Sequence, residues 1–339
     1  MPTDRALSRR EVTRGLAGAS AALAASWALF GCAHDRALVL VGGEKIDATE
    51  VDRDPLALLP GGALAIGHLD AAALFRARFG GDVNELIARI LPLGAESNFV
   101  AQRDVARVFG GVYSLQGADF CAVVQGNFDT EAIQRSADAK VITILDAPLV
   151  KSSYAGNDLY TSRNIGFSVL TPHTVLTGNE TGMRRALDRL RAGKPKSEVA
   201  PWVLDILRDP KASLALAGEP GSAPALQAAS QTLPFLGNVR RVRALGSLEP
   251  TGVNLAARVS YTDPGSAANA AASLQNLRTY AFFASLFMSL GGLSIPAINT
   301  KVEGAEVDLT SPVDEGSIRQ LLRMATDAAR RSVTVLPTR

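Results

Sequence analysis

A catalytic or metal centre is built from histidines, activated hydroxyls or thiols, and paired carboxylates. This chain of 339 residues offers few of them in working patterns. Its three histidines, His34, His68 and His173, lie far apart. No helix face can therefore present two imidazoles at the H-E-x-x-H spacing, and a zinc site would have to be assembled from distant carboxylates. Neither a G-x-S-x-G elbow nor an S-x-x-K pair occurs, so a Ser/His/Asp triad could be joined only by the fold. Glycine pairs stand at Gly42-Gly43, Gly80-Gly81, Gly110-Gly111 and Gly291-Gly292, none in a phosphate-cradling motif. They read as loops, helix ends or strand irregularities. Carboxylates gather at Asp205, Asp209 and Glu219 and again at Glu303, Glu306 and Asp308, where a solvated surface is the plain reading. Cys121, within Phe120-Cys121-Ala122-Val123-Val124, reads as a small buried hydrophobe, with a reactive thiol as the alternative. The expectation is no cofactor, no metal and no catalytic residue.

The other cysteine carries more information. Arg5, Arg9, Arg10 and Arg14 form a positive N-terminal region, Gly15 to Gly31 follow without charge, and Leu29-Phe30-Gly31 then precede Cys32. This resembles the lipobox of bacterial lipoprotein precursors, and Ser8-Arg9-Arg10-Glu11-Val12 resembles the twin-arginine export signal, with Arg9 and Arg10 as its pair. Thr13 departs from that pattern where a bulky apolar residue is usual. The resemblance implies export by the twin-arginine or the general secretory route, cleavage before Cys32, and anchoring through acyl chains such as palmitate. Ala33 rather than Asp after the cysteine implies the outer membrane, facing the periplasm. With Cys32 acylated, Cys121 has no disulfide partner.

Export also changes the charge. From 35 basic and 33 acidic residues, loss of residues 1–31 removes four Arg and two acids, leaving 31 of each. A neutral chain without a basic patch excludes nucleic acid as a partner.

The elements form a repeating series. Residues 32–54 are mostly polar and read as a lipidated tether. From Pro55 the order strand, helix, two strands, helix, two strands, helix runs twice, over 55–195 and 212–339, with a connector helix within 196–211. Leu64–His68 matches Leu214–Gly218, and Asp104–Val108 matches Asn238–Val242, 134 residues later. Asp129 and Asp263 stand at equivalent helix starts as N-caps. The hairpin around Gly156 matches that around Gly304, and Phe167–Leu170 with Thr174–Thr177 reads as an extra hairpin of the first half. The expected fold is α+β, two duplicated lobes, each an antiparallel sheet with helices packed on one face.

This layout resembles the uncharacterised two-lobed lipoproteins of bacterial envelopes. It shares with them an opening at Leu59-Pro60 to Leu64-Ala65 and a strand entry from Arg103 to Val108. The resemblance brings no known chemistry.

One further segment stands out. Between Arg278 and Lys301 lie 22 uncharged residues, including Tyr280, Phe283 and Phe287. Ser285, Ser289, Gly291-Gly292 and Pro296 interrupt it, so the plain reading is a helix inside the second lobe. The alternative is an apolar surface for a partner, a lipid or a second copy, with Tyr280, Phe283 and Phe287 as its contacts. The functional expectation is a non-enzymatic, lipid-anchored binding or scaffold module with an envelope protein or lipid partner. A carrier of lipids or other hydrophobic ligands, with a groove between the lobes, is the alternative, and an enzyme of unrecognised type the third.

Overall fold

The computed structural model describes residues 38–39, 45–114, 119–193, 196–231, 233–287 and 297–334. Helix starts are set locally. A short ladder, β1 (Leu38–Val39) with β2 (Lys45–Ile46), precedes α1 (Ala48–Arg53), whose N-cap Asp47 accepts the Thr49 N–H. The first half then runs β3 (Ala65–Leu69), α2 (Ala71–Arg76), α3 (Gly80–Ile90), α4 (Ala101–Asp104), β4 (Val105–Ser114) and β5 (Asp119–Gly126). It continues through α5 (Thr130–Asp138), β6 (Val150–Tyr154), β7 (Asn157–Ser162), β8 (Ile165–Thr171), β9 (Thr174–Asn179) and α6 (Glu180–Ala192). After the connector α7 (Pro201–Leu207) come β10 (Leu214–Gly218), α8 (Pro224–Ser230), β11 (Val239–Glu249) and β12 (Gly252–Tyr261). The chain closes with α9 (Pro264–Phe287), β13 (Asn299–Glu303), β14 (Glu306–Asp314) and α10 (Glu315–Thr334).

The fold is α+β, and its duplication is written in the caps. Asp129 accepts the Ala132 N–H at the start of α5, and Asp263 accepts the Ser266 N–H at the start of α9. Asn179 ends β9 and caps α6, as Asp314 ends β14 and caps α10.

The two halves share one antiparallel sheet of twelve described strands, in the order β13-β14-β12-β11-β10-β3-β4-β5-β9-β8-β7-β6. Equivalent strands β3 and β10 pair across the seam, with Gly67 opposite Leu216 at the centre. Outward from the seam, β3-β4-β5-β9-β8 mirrors β10-β11-β12-β14-β13. This order corrects one sequence assignment. The strand beside β5 is β9, just as β14 lies beside β12, so the inserted hairpin is β6–β7 at the sheet edge and not Phe167–Leu170 with Thr174–Thr177.

The halves differ in how they cover the sheet. In β5, Cys121 and Val123 pack with Met183 and Leu187 of α6 and Val203 and Leu207 of α7. Ala122 and Val124 face the other way, toward Leu74, Val83 and Ile87 of α2 and α3 and Ile133 of α5. Helices thus cover both faces of the first half, because a run of four apolar residues in β5 leaves no side for solvent. In the second half β12 alternates, and Val253 and Val259 point to an apolar face while Arg258 points away from it. There Ala267, Ala270 and Ala271 of α9 pack on Tyr261 and Val307, and Ile318 and Leu322 of α10 pack toward α3. Arg319 Nη1 bonds Asp82 Oδ2 of α3 at 2.7 Å and fixes α10 on that face, opposite to the one its counterpart α6 occupies. On the far face, Arg243 and Arg258 form ion pairs with Glu306, and Arg258 also pairs with Asp308.

The helical stretch after β3 is broken between α2 and α3, since Ala77 is extended and Gly80 lies so close to the Phe75 carbonyl that a Cβ would collide with it. The body also begins before Pro55. Val51 of α1 is buried in the core, and Asp52 Oδ1 accepts the hydroxyls of Thr171 at 2.5 Å and Thr174 at 2.6 Å. The Asp52 carbonyl accepts Gln125 Nε2 at 2.6 Å.

Thr171 and Thr174 are buried, so loss of their acceptor strands two hydroxyls. Asp52→Ala is expected to destabilise the body by roughly 1–3 kcal/mol for each hydroxyl left without a partner, read as a lower urea midpoint at unchanged slope. An unchanged midpoint would show that α1 is not held by this carboxylate.

Candidate ligand-binding site

Among the described residues, the sheet's apolar face is covered at both ends and bare in the middle. Helices α2, α3 and α10 lie over one region, reaching Val108, Leu69 and Leu214, and α8 and α9 lie over the other, while no described helix side chain packs on the Gly110, Gly67, Leu216 and Ala244 row between them. Alternation puts Ala122, Gly110, Gly67, Leu216 and Ala244 in one row across β5, β4, β3, β10 and β11, each opposite the next in register. A parallel row runs through Val108, Leu69, Leu214, Gly246 and Leu255. Glycine and alanine supply almost no side chain, so the first row sinks into a trough of about 610 Å³.

Its chemistry is uniform. The side chains over it are apolar, Leu216 remains 42% exposed, and Ile90 at the end of α3 stands at its rim. That rim is held in place, because the Ile90 carbonyl accepts the Thr177 hydroxyl of β9 at 2.5 Å. Six strands at about 4.8 Å spacing make the trough about 24 Å long, more than the ~15 Å depth of one bilayer leaflet. Its volume lies within the range of small-molecule sites. Among the described residues no acid, base or nucleophile rises from its floor, since alternation turns the His68 and Cys121 side chains to the reverse face. What the floor offers is shelter of apolar surface from water.

The glycines fit this role closely. A Cβ built on Gly67 or Gly110 would make only ordinary contacts, 3.5 Å from the Ala215 carbonyl oxygen and from the Ala122 Cβ respectively. Neither glycine is required by backbone conformation or by close packing. What glycine provides there is empty space.

Cys32, Arg9 and Arg10 lie outside the described residues, as do the side chains of Tyr280, Phe283 and Phe287, whose backbone belongs to α9. No helix among the described residues is long and apolar enough to cross a membrane. Cys121 lies on the reverse of the trough floor, wholly buried, and burial pushes its thiol up to about 12, which keeps it a protonated packing group. His68 is also on the reverse face, stacked on Phe109 with ring centroids 4.7 Å apart, while His173 sits in the β8–β9 turn with Nδ1 3.1 Å from the Gly126 carbonyl oxygen. Among the described residues no three His, Cys, Asp or Glu side chains converge as metal ligands. Sequence reading missed Gly67 and Gly110. The available signal was a glycine in each of two strands that were otherwise apolar.

No family model and no curated relative matches the chain. Among solved structures it is similar to crystal form I of TP0453, with a TM-score of 0.50 at 11% identity, covering 80% of this chain and 96% of that one. Crystal form III of TP0453 matches with a TM-score of 0.50 at 12% identity, over 79% of this chain and 97% of that one. The likeness is one of fold.

Burial of His68 favours its neutral form and holds its pKa below the ordinary imidazole value, with Asp70 opposing and Arg107 adding to the effect. The unfolded chain therefore takes up this proton first. Stability from His68 is full above the unfolded pKa of about 6.5 and is lost as pH falls through the lower folded value. His68→Leu is expected to flatten the unfolding free energy between about pH 7 and 5 relative to wild type. A difference between the two proteins that does not change with pH would contradict this.

Proposed function

We propose that this chain is a lipid-anchored protein of the bacterial envelope that binds an acyl chain, or a similarly long apolar ligand, in the trough across the β3–β10 seam. The observation that carries the reading is the row Ala122, Gly110, Gly67, Leu216, Ala244, an apolar floor that the described residues leave open between two helix groups. Soluble proteins seldom leave such a surface uncovered without a use for it. Each methylene laid into it contributes about 0.8 kcal/mol, so a long chain is bound without any polar recognition. The lipobox at Cys32 and the export signal at Arg9-Arg10 support placing this binding at a membrane, with the acyl chains on Cys32 holding the body at the outer membrane within reach of lipid. The groove expected between two lobes becomes, in this reading, a trough across a seam the lobes share. No catalytic role is assigned.

The test fills the trough without touching the core. In Gly110→Leu the new side chain rises over the floor, and its Cβ meets only ordinary contacts. Leucine in place of glycine inside a strand keeps or raises stability. With cis-parinaric acid as the fluorescent probe, wild type is expected to bind saturably and Gly110→Leu at least tenfold more weakly at an unchanged melting temperature. Equal binding by the two proteins would remove the trough as the site.

A further inference from the structure

The reverse face of the same two strands carries a second cavity of the opposite chemistry. It measures about 370 Å³ and lies where β3 and β4 meet the end of α1 and the turn after α7. Three guanidinium groups reach its walls, from Arg53, Arg107 and Arg208, and His68 lines its inner side.

The acids and bases there are not equally engaged. Asp70 accepts the Ala73 N–H at 2.9 Å as the cap of α2, and Asp209 accepts the Lys211 N–H at 2.9 Å. The arginines are held only loosely. Arg53 reaches Glu50 at 3.9 Å, Arg208 reaches Asp54 at 3.5 Å, and Arg107 has no ion pair among the described residues. Three carboxylates, Asp54, Asp70 and Asp209, line the cavity beside the three arginines, and among the described residues the guanidinium groups keep N–H donors that these acids do not use.

His68 supplies the second observation. It is only 9% exposed, and neither Nδ1 nor Nε2 has a hydrogen-bond partner among the described residues. A buried ring with both nitrogens idle costs free energy that a leucine at this position of β3 would not. Stacking on Phe109 needs an aromatic ring, not an imidazole. The residue makes sense chemically if something entering the cavity uses its nitrogens.

We propose that this cavity is a binding site for a small anion, a carboxylate or phosphate group, clasped by Arg107 and Arg208 with Arg53 at the rim and with a ring nitrogen of His68 as the inner hydrogen-bond partner. Guanidinium groups match the planar, multidentate geometry of such anions, and each bond they make is charge-assisted. The site is separate from the trough, since the sheet itself lies between them. Its failure would leave the acyl-binding reading untouched.

The experiment follows the ring nitrogens of His68 by NMR in the body from Asp47 onward within the full exported chain, titrated separately with inorganic phosphate and succinate. One or both are expected to shift the His68 nitrogens saturably. In the double variant Arg107→Gln/Arg208→Gln, whose side chains are exposed, the apparent affinity is expected to fall roughly tenfold or more at unchanged melting temperature. Response to phosphate alone or to succinate alone decides which anion the site prefers. No saturable shift with either anion overturns the proposal, and so does a shift of equal affinity in the double variant.

Discussion

The β3–β10 pairing is the contact on which the rest of the molecule depends. Five residues from each half, Ala65–Leu69 and Leu214–Gly218, join two duplicated units into one continuous sheet. An antiparallel ladder between equivalent strands relates the halves by a local two-fold through Gly67 and Leu216. That operation fixes which strand faces coincide, so the apolar face of one half continues into the apolar face of the other.

Coverage then follows from which side chains each half supplies. The first half has strands apolar on both sides and needs two helical layers, provided by α2, α3 and α5 on one face and α6 and α7 on the other. The second half alternates strictly in β12 and β14, so one face carries the Arg243, Arg258, Glu306 and Asp308 network and needs no cover. The last helix, α10, accordingly crosses to the apolar side and is fixed there by Arg319 on Asp82. Duplication set the element order, and divergence of the strand faces broke the symmetry of the helices.

The two cavities are consequences of the same strands read from opposite sides. On one side Gly67 and Gly110 leave a hollow in an apolar floor; on the other, His68 and Phe109, their immediate neighbours, line a polar recess. Period-two alternation lets adjacent residues of a strand serve unrelated chemistries a few ångströms apart. Among the described residues the polar side chains of the recess stay off the trough, because the sheet backbone, with its own hydrogen bonds satisfied within the ladder, separates the two.

Much of this fold was legible in the residues. Asp129 and Asp263 mark equivalent helix starts because an acceptor at the N-cap is a local requirement, and the strands from Val105 and Val239 were found by their matched spacing and apolar runs. The lipobox reading of Cys32 is likewise local, and it remains a statement about sequence alone. What tertiary structure decided was non-local. Sequence order alone does not say whether β9 or β7 lies beside β5, since hairpin spacing is the same in either case, and the inserted hairpin was assigned to the wrong pair for that reason. Nor does it say that the halves share one sheet, because five residues of pairing leave no periodic signal. Gly110 looked like an irregularity and is a regular strand residue whose missing side chain makes the trough. An absence of atoms has meaning only once neighbours from five other strands are placed around it.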